Sequence, residues 1–205
     1  MINARSSKRD ISAQLASFGV ASAGVNSQTA TSNAWLGSSG AYTNEFCNDS
    51  DEDLILVVWG VAGSWINVIQ PHITVALSPG ETTTVSFADG ASGAWSAIYS
   101  DTTMVNGQIS NTWGEFTFGQ YGVVDVSREV NMSGRSMSIV GPACVSNMTT
   151  CVFVCPSGNT CIDGYELLEC ANGSQEGANY GTYEGSPSGG CGGMGSSAAL
   201  KTSLG

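Results

Sequence analysis

The stretch spanning residues 112–132, TWGEFTFGQYGVVDVSREVNM, constrains the fold more than any other part of the chain. Trp113, Phe116 and Phe118 are interleaved with small and polar residues. A Gly-Gln-Tyr-Gly turn follows, and then Val123, Val124 and Val126 surround Asp125. Aromatic and β-branched residues on both sides of a glycine-bounded turn predict two strands of a packed sheet. Two carboxylates, Glu115 and Asp125, sit on the strands flanking that turn.

More strands are needed to bury such a sheet, and the sequence supplies them. Residues 41–46 lead into an acidic loop. Residues 54–59 form a continuous apolar run, the pattern of a strand buried on both faces. Ile73–Leu77 and Thr82–Phe87 alternate well and are joined by Ser-Pro-Gly-Glu, a strong turn signal. The series continues with 94–99, 112–118, 123–126 and Met137–Val140, then Val152–Val154 and 165–168 among the cysteines. So many short strands in quick succession predict an all-β fold, a β-sandwich or flattened barrel, over residues 41–175.

The flanks read differently. Residues 1–9 end in the dibasic pair Lys8-Arg9, where a processing protease of the secretory route would cut. Ile11, Leu15 and Phe18 follow at helical spacing with Asp10 as N-cap, so residues 10–20 are either one short helix or part of a flexible arm. Residues 21–40 are rich in Ser, Ala, Gly, Asn and Thr and read as linker, giving an N-terminal arm over 1–40. Residues 176–205 are dominated by Gly and Ser and read as an irregular, flexible tail.

Charge narrows the partners. Six Lys and Arg stand against 17 Asp and Glu, a formal net charge of −11, and three of the six basic residues precede Asp10. Such a surface repels phosphate backbones and anionic lipid, so neither nucleic acid nor a membrane surface is an expected partner. No run of about 18 apolar residues is present to span a bilayer.

The seven cysteines are Cys47, Cys144, Cys151, Cys155, Cys161, Cys170 and Cys191. Their spacing lacks paired C-x2-C knuckles, and the chain has only one histidine, His72, which disfavours zinc and favours disulfides. The odd number leaves at least one thiol free or paired between molecules. Sequons at Asn48, Asn131, Asn147 and Asn172 fit a secreted, extracellular or wall-associated protein. No secretory leader is visible, and the secreted reading takes it to have been removed before Met1.

Several chemistries can be weighed from residues alone. The loop Asp49, Ser50, Asp51, Glu52, Asp53 offers hard oxygen ligands for Ca²⁺ but fails the EF-hand pattern, and a solvated loop explains it as well. No metal and no cofactor are expected. His72 has no Ser-His-Asp setting, and the glycine-rich stretches lack the Lys-Ser/Thr end of a phosphate loop. Trp35, Trp65, Trp95 and Trp113, with Tyr99 and Tyr121, are either core or platforms for sugar rings. Trp65, in the loop VAGSWIN, is the best exposed candidate.

Two resemblances meet in this chain. ITVALSPGETTTVSF, GAWSA, TWGEFTF and VDVSREVNM are similar to the C-terminal region of the secreted fungal allergen family founded by the fourth numbered Aspergillus fumigatus allergen. The same layout resembles a reduced thaumatin-like protein. Asn44–Cys47, Val58-Trp59, Ser78–Glu81, Gly114–Phe116 and Asp125–Ser127 stand at the matching places. CPSGNTCIDGYELLEC, residues 155–170, resembles the closing strand of thaumatins. The thaumatins' cysteine-rich second domain and Gly-Asp-Cys-Gly-Gly signature are missing. SAIYSD, residues 96–101, stands where that family places an arginine.

The resemblance implies a disulfide-stapled, thaumatin-like β-sandwich and an acidic cleft that binds β-glucan. Glu115 and Asp125 take the places of the cleft's glutamate and aspartate. Glu129 matches a second aspartate more loosely, and Trp65 and Tyr121 complete the expected ligand-binding set. The two carboxylates either serve as general acid and base or nucleophile of a weak β-1,3-glucanase, or are hydrogen-bonded and idle. The favoured expectation is a non-enzymatic, allergen- or effector-like protein binding wall polysaccharide or a host surface partner. A structural role, with the glycine-rich arms mediating assembly, is the further alternative. The resemblance also implies disulfides Cys47–Cys170 and Cys144–Cys155, with Cys151–Cys161 as third pair and Cys191 left over.

Overall fold

The computed structural model describes residues 8–60 and 65–205. One helix, α1 (Lys8–Phe18), precedes a long series of strands. The first group is β1 (Ala34–Leu36), β2 (Tyr42–Asn48), β3 (Leu54–Gly60), β4 (Ile73–Leu77), β5 (Thr82–Phe87) and β6 (Ser92–Ile98). Then come β7 (Thr103–Val105), β8 (Gln108–Ser110), β9 (Trp113–Thr117), β10 (Val123–Ser127), β11 (Met137–Val140) and β12 (Val145–Asn147). The chain closes with β13 (Val152–Val154), β14 (Glu166–Leu168), β15 (Ala178–Tyr183), β16 (Ser186–Cys191) and β17 (Ala198–Leu204).

The strands form two open sheets and a small β7–β8 hairpin. The smaller sheet runs β1-β5-β2-β17-β11-β12. The larger runs β14-β13-β10-β9-β6-β3-β4, with the β15–β16 hairpin joined to β10. A shared core lies between them. Tyr42, Phe46, Val85, Phe87, Ile139 and Leu200 of the smaller sheet meet Leu56, Val58, Trp95, Phe116, Val124 and Val126 of the larger. Neither sheet closes on itself, so the flattened-barrel alternative gives way to two packed open sheets.

The run LILVVW is apolar throughout because β3 is buried on both faces. Leu54, Leu56 and Val58 enter the shared core, while Ile55, Val57 and Trp59 face the other way into a second cluster. Leu15 of α1 covers that outer cluster, with Ile11 and Phe18 packed beside it. The helical spacing of these three residues thus serves one side of the larger sheet. The helix begins at Lys8, two residues before the expected N-cap Asp10. The expected cleavage after Lys8-Arg9 would release a segment whose residues 1–7 lie outside the described residues.

The C-terminal third departs from the sequence reading. Residues expected to form a flexible tail hold β15, β16 and β17, and β17 lies inside the smaller sheet, parallel to β2 and antiparallel to β11.

The disulfides change with it. They are Cys144–Cys191, Cys151–Cys170 and Cys155–Cys161, and Cys47 is free. The thaumatin-derived pairs Cys47–Cys170, Cys144–Cys155 and Cys151–Cys161 are therefore corrected. The reason lies in the topology. The β15–β16 hairpin sets Cys191 opposite Val124 of β10 and within bonding reach of Cys144. A tight turn after β12 places Cys151 against the backbone of Glu169 and so beside Cys170. Cys47 lies on β2 between Thr82 and Ser203, in the other sheet from the β13–β14 pair that Cys170 follows.

Candidate functional site

The β9–β10 hairpin is built on period-two alternation. Phe116 of β9 and Val124 and Val126 of β10 point into the shared core, so Glu115, Asp125 and Ser127 point to the outer face of the larger sheet. Asp125 pairs directly with Glu115, and Ser127 with Trp113. On its other side Glu115 is flanked by Ala94 of β6, which pairs in turn with Trp59 of β3. Trp59 and Trp113 meet edge to face, with ring centroids 5.0 Å apart. The carboxyls thus adjoin the apolar cluster beneath α1.

Glu129, just past β10, is the third member. Its loop is held down by the short Cys155–Cys161 disulfide loop, whose Cys161 N–H donates to the Glu129 carbonyl at 2.9 Å.

Burial dominates the electrostatics. Asp125 is only 5% exposed, and its Oδ1 is buried without a hydrogen-bond partner. Desolvation pushes the Asp125 carboxyl well above the usual carboxylate range, and the neighbouring Glu115 and Glu129 charges push it further. Burial raises Glu115 to about 7, against the opposing hydrogen bond from Ser127. Glu129 is raised to about 8 by burial and by the Glu115 charge. Arg128, next along the chain, donates instead to the carbonyls of Met132 and Met148. The Arg128 guanidinium is thus spent on backbone carbonyls, and burial is the first cause of the upward shift of all three carboxyls.

The expected site residues divide clearly. Glu115, Asp125 and Glu129 come together, but Asp125 lies beneath the surface, so the half-buried Glu115 and Glu129 are the carboxyls a ligand could reach. Trp65 is 54% exposed and Tyr121, in the hairpin turn, is 89% exposed. Trp35, Trp95, Trp113 and Tyr99 are buried and serve the core rather than as platforms. Ser127 was missed as a site residue, although its spacing of two from Asp125 puts it on the same face.

The acidic loop after β2 is organised by protein groups. Arg135 bridges Glu52 at 2.7 Å and Asp101 at 2.9 Å and stacks on the Tyr99 ring. The Asn48 side chain holds the Glu52 carbonyl. Among the described residues, the one group with metal-ligand spacing is Cys144, Cys151 and Cys191, whose sulfurs belong to two abutting disulfides. Among the described residues, no helix is long and apolar enough to cross a membrane.

No curated protein matches the chain. The family of Allergen Asp f 4-like domains matches it over residues 31–184, a span that includes both strands of the carboxyl-bearing hairpin. On that match the chain belongs to the Allergen Asp f 4-like domain family.

Proposed function

We propose that this is a secreted, allergen-like protein that binds a neutral wall polysaccharide of the β-glucan type without hydrolysing it, on a thaumatin-like arrangement of its two sheets. The observation that carries the reading is the convergence of Glu115, Asp125 and Glu129 on one face, all three raised by burial and the last two also by neighbouring carboxylate charge, so that they keep protons in mildly acidic solution. A protonated carboxyl is both donor and acceptor, which suits a ligand made of hydroxyl groups. The net charge of −11 disfavours anionic polymers. Exposed Trp65 and Tyr121 offer aromatic faces to sugar rings. Three disulfides fit an oxidising, extracellular setting.

Hydrolysis asks for one ionised and one protonated carboxyl. Here burial raises all three groups, and neighbouring carboxylate charge raises Asp125 and Glu129 further, so none is held as the ionised partner at pH 5–6. The glucanase alternative draws its support from the raised carboxyls themselves, since a general acid also needs a proton near neutrality.

One experiment separates the readings: pull-down on insoluble β-1,3-glucan at physiological salt, a glycan array, and an assay for released reducing sugar. Binding is expected at pH 5–6 and should weaken at alkaline pH as Glu115 and Glu129 ionise, but should persist there in the Glu115→Gln, Glu129→Gln double variant, whose amides do not titrate, with no sugar released in either case. Retention on no fungal or plant wall polymer would remove the carbohydrate claim. Sugar release abolished by Glu115→Gln would replace it with the glucanase.

A further inference from the structure

Four asparagines begin Asn-x-Ser/Thr triplets, and the fold treats their amides differently. Asn48 is fully buried. Its Nδ2 donates to the carbonyls of Glu52 at 2.8 Å and Leu77 at 2.9 Å, and its Oδ1 accepts from Ser50, so both amide hydrogens are committed. Asn172 is exposed but clamped. Its Nδ2 donates to the Tyr180 carbonyl at 3.2 Å while its Oδ1 accepts the Tyr180 N–H at 2.7 Å. Such a two-way clamp uses the amide hydrogen on the same side as the oxygen, and in a trans secondary amide the carbon substituent takes that position. Asn131 commits Nδ2 to the Ser110 carbonyl.

Asn147 is different. Its side-chain hydrogen bonds all fall on Oδ1, from the Thr149 N–H at 2.9 Å, the Thr149 hydroxyl at 3.1 Å and the Thr150 N–H at 3.0 Å. None uses Nδ2. Its triplet, Asn-Met-Thr, is also the one of the four that ends in threonine. The residue closes β12, the terminal strand of the smaller sheet. Beside it runs a groove lined by Ser136, Ser138, Met148 and Ser203.

We propose that Asn147 is the occupied glycosylation site of this protein, its N-linked oligosaccharide projecting from the outer end of β12. The Gln175 carboxamide already closes the other end of that edge by pairing with both backbone groups of Val145. The Asn147 N–H is likewise taken, by the Thr150 carbonyl at 2.9 Å, so the glycan projects beside an edge that the protein itself has closed. In the reaction, Nδ2 attacks C1 of the first sugar of a lipid-pyrophosphate-linked oligosaccharide. The N–C1 bond forms and the C1–O bond breaks. The lipid pyrophosphate leaves with the electron pair, and one amide proton passes to a base of the transferase. The inference rests on the secreted part of the proposed function and not on polysaccharide binding.

The test is secretion of the full chain from yeast behind a host leader, followed by enzymatic deglycosylation in ¹⁸O water and peptide mapping. Asn147 is expected to emerge as ¹⁸O-labelled aspartate. Asn147→Gln and Thr149→Ala should each remove one glycan from the intact mass, with the far-UV spectrum unchanged. Secreted protein with an unmodified Asn147, or a glycan mass that survives both substitutions, would overturn the assignment. Glucan retention, measured on the same material, reports on the other reading separately.

Discussion

Glu115 and Asp125 face each other directly across the β9–β10 ladder, two carboxyls on the same side of adjacent strands. Like charges in that position destabilise a sheet, so the pair is tolerated because it retains a proton.

Stability should therefore fall as pH rises. Glu115 at about 7 and Glu129 at about 8 lie above the ordinary glutamate value of about 4.3, so the folded chain keeps protons that the unfolded chain has released. Their stabilising contribution is complete below about pH 4.3 and is lost as pH climbs through 7 and 8. Tm measured from pH 5 to pH 9 should decrease steadily, and Asp125→Asn should flatten the curve. A Tm that is constant or rising over that range contradicts the account.

The cysteines should behave unequally. Cys144–Cys191 closes a separation of 47 residues, for which chain entropy gives about 4 kcal/mol before native strain. Urea unfolding of Cys191→Ala should show a loss of that order, with the exchange-prone Cys144 alkylated or replaced as well. Cys47→Ser should shift the midpoint little, since Cys47 donates only to Asp49 at the strand end. Non-reducing peptide maps check the pairing directly.

Gly114→Ala should be poorly tolerated. A Cβ at Gly114 would overlap the indole of Trp95, which is fully buried between Phe46 and Phe116. Overpacking of this kind costs about 1–3 kcal/mol, and the rigid ring leaves little room to relax. Chemical denaturation of the variant measures it, and an unchanged midpoint would show that the core yields more easily than its packing indicates.

Asn48→Ala should cost about 1–3 kcal/mol, because it leaves the buried Leu77 carbonyl without its side-chain donor and frees the Glu52 carbonyl. The same substitution should leave the glycan mass of secreted protein untouched.

Much of the sheet structure is written locally. Ile73–Leu77, Thr82–Phe87, Met137–Val140 and Val152–Val154 begin and end where alternation and turn residues place them. The carboxyl site was legible for the same reason: Glu115 and Asp125 occupy alternating positions either side of one tight turn.

What escaped was non-local. SPSGGC carries no β-branched or aromatic residue, yet it forms β16, held by pairing with β15 and by the disulfide at Cys191. AALKTSL forms β17 because β2 and β11 leave a vacancy between them, which no local propensity reveals. The depth of Asp125 escaped too, since its burial depends on strands far along the chain, among them β16, whose Gly190 backs onto the Asp125 Cβ. The disulfide partners escaped because the expected pairing came from the thaumatin resemblance, in which Cys191 had no place.

The position of β17 has a further consequence. Asn44 and Thr202, 158 positions apart, share a buried hydrogen bond of 2.8 Å, and β2 and β11 touch only through the strand between them. Two half-sheets must wait with bare edges until residues 198–204 arrive, a late and slow closure for a chain of this size. The Cys144–Cys191 disulfide lies before residues 192–197, so a protease cutting there severs β17 from the disulfide-held part of the chain. The vacated slot then accepts the same strand from another molecule, and proteolytic nicking becomes a route to strand-swapped oligomers.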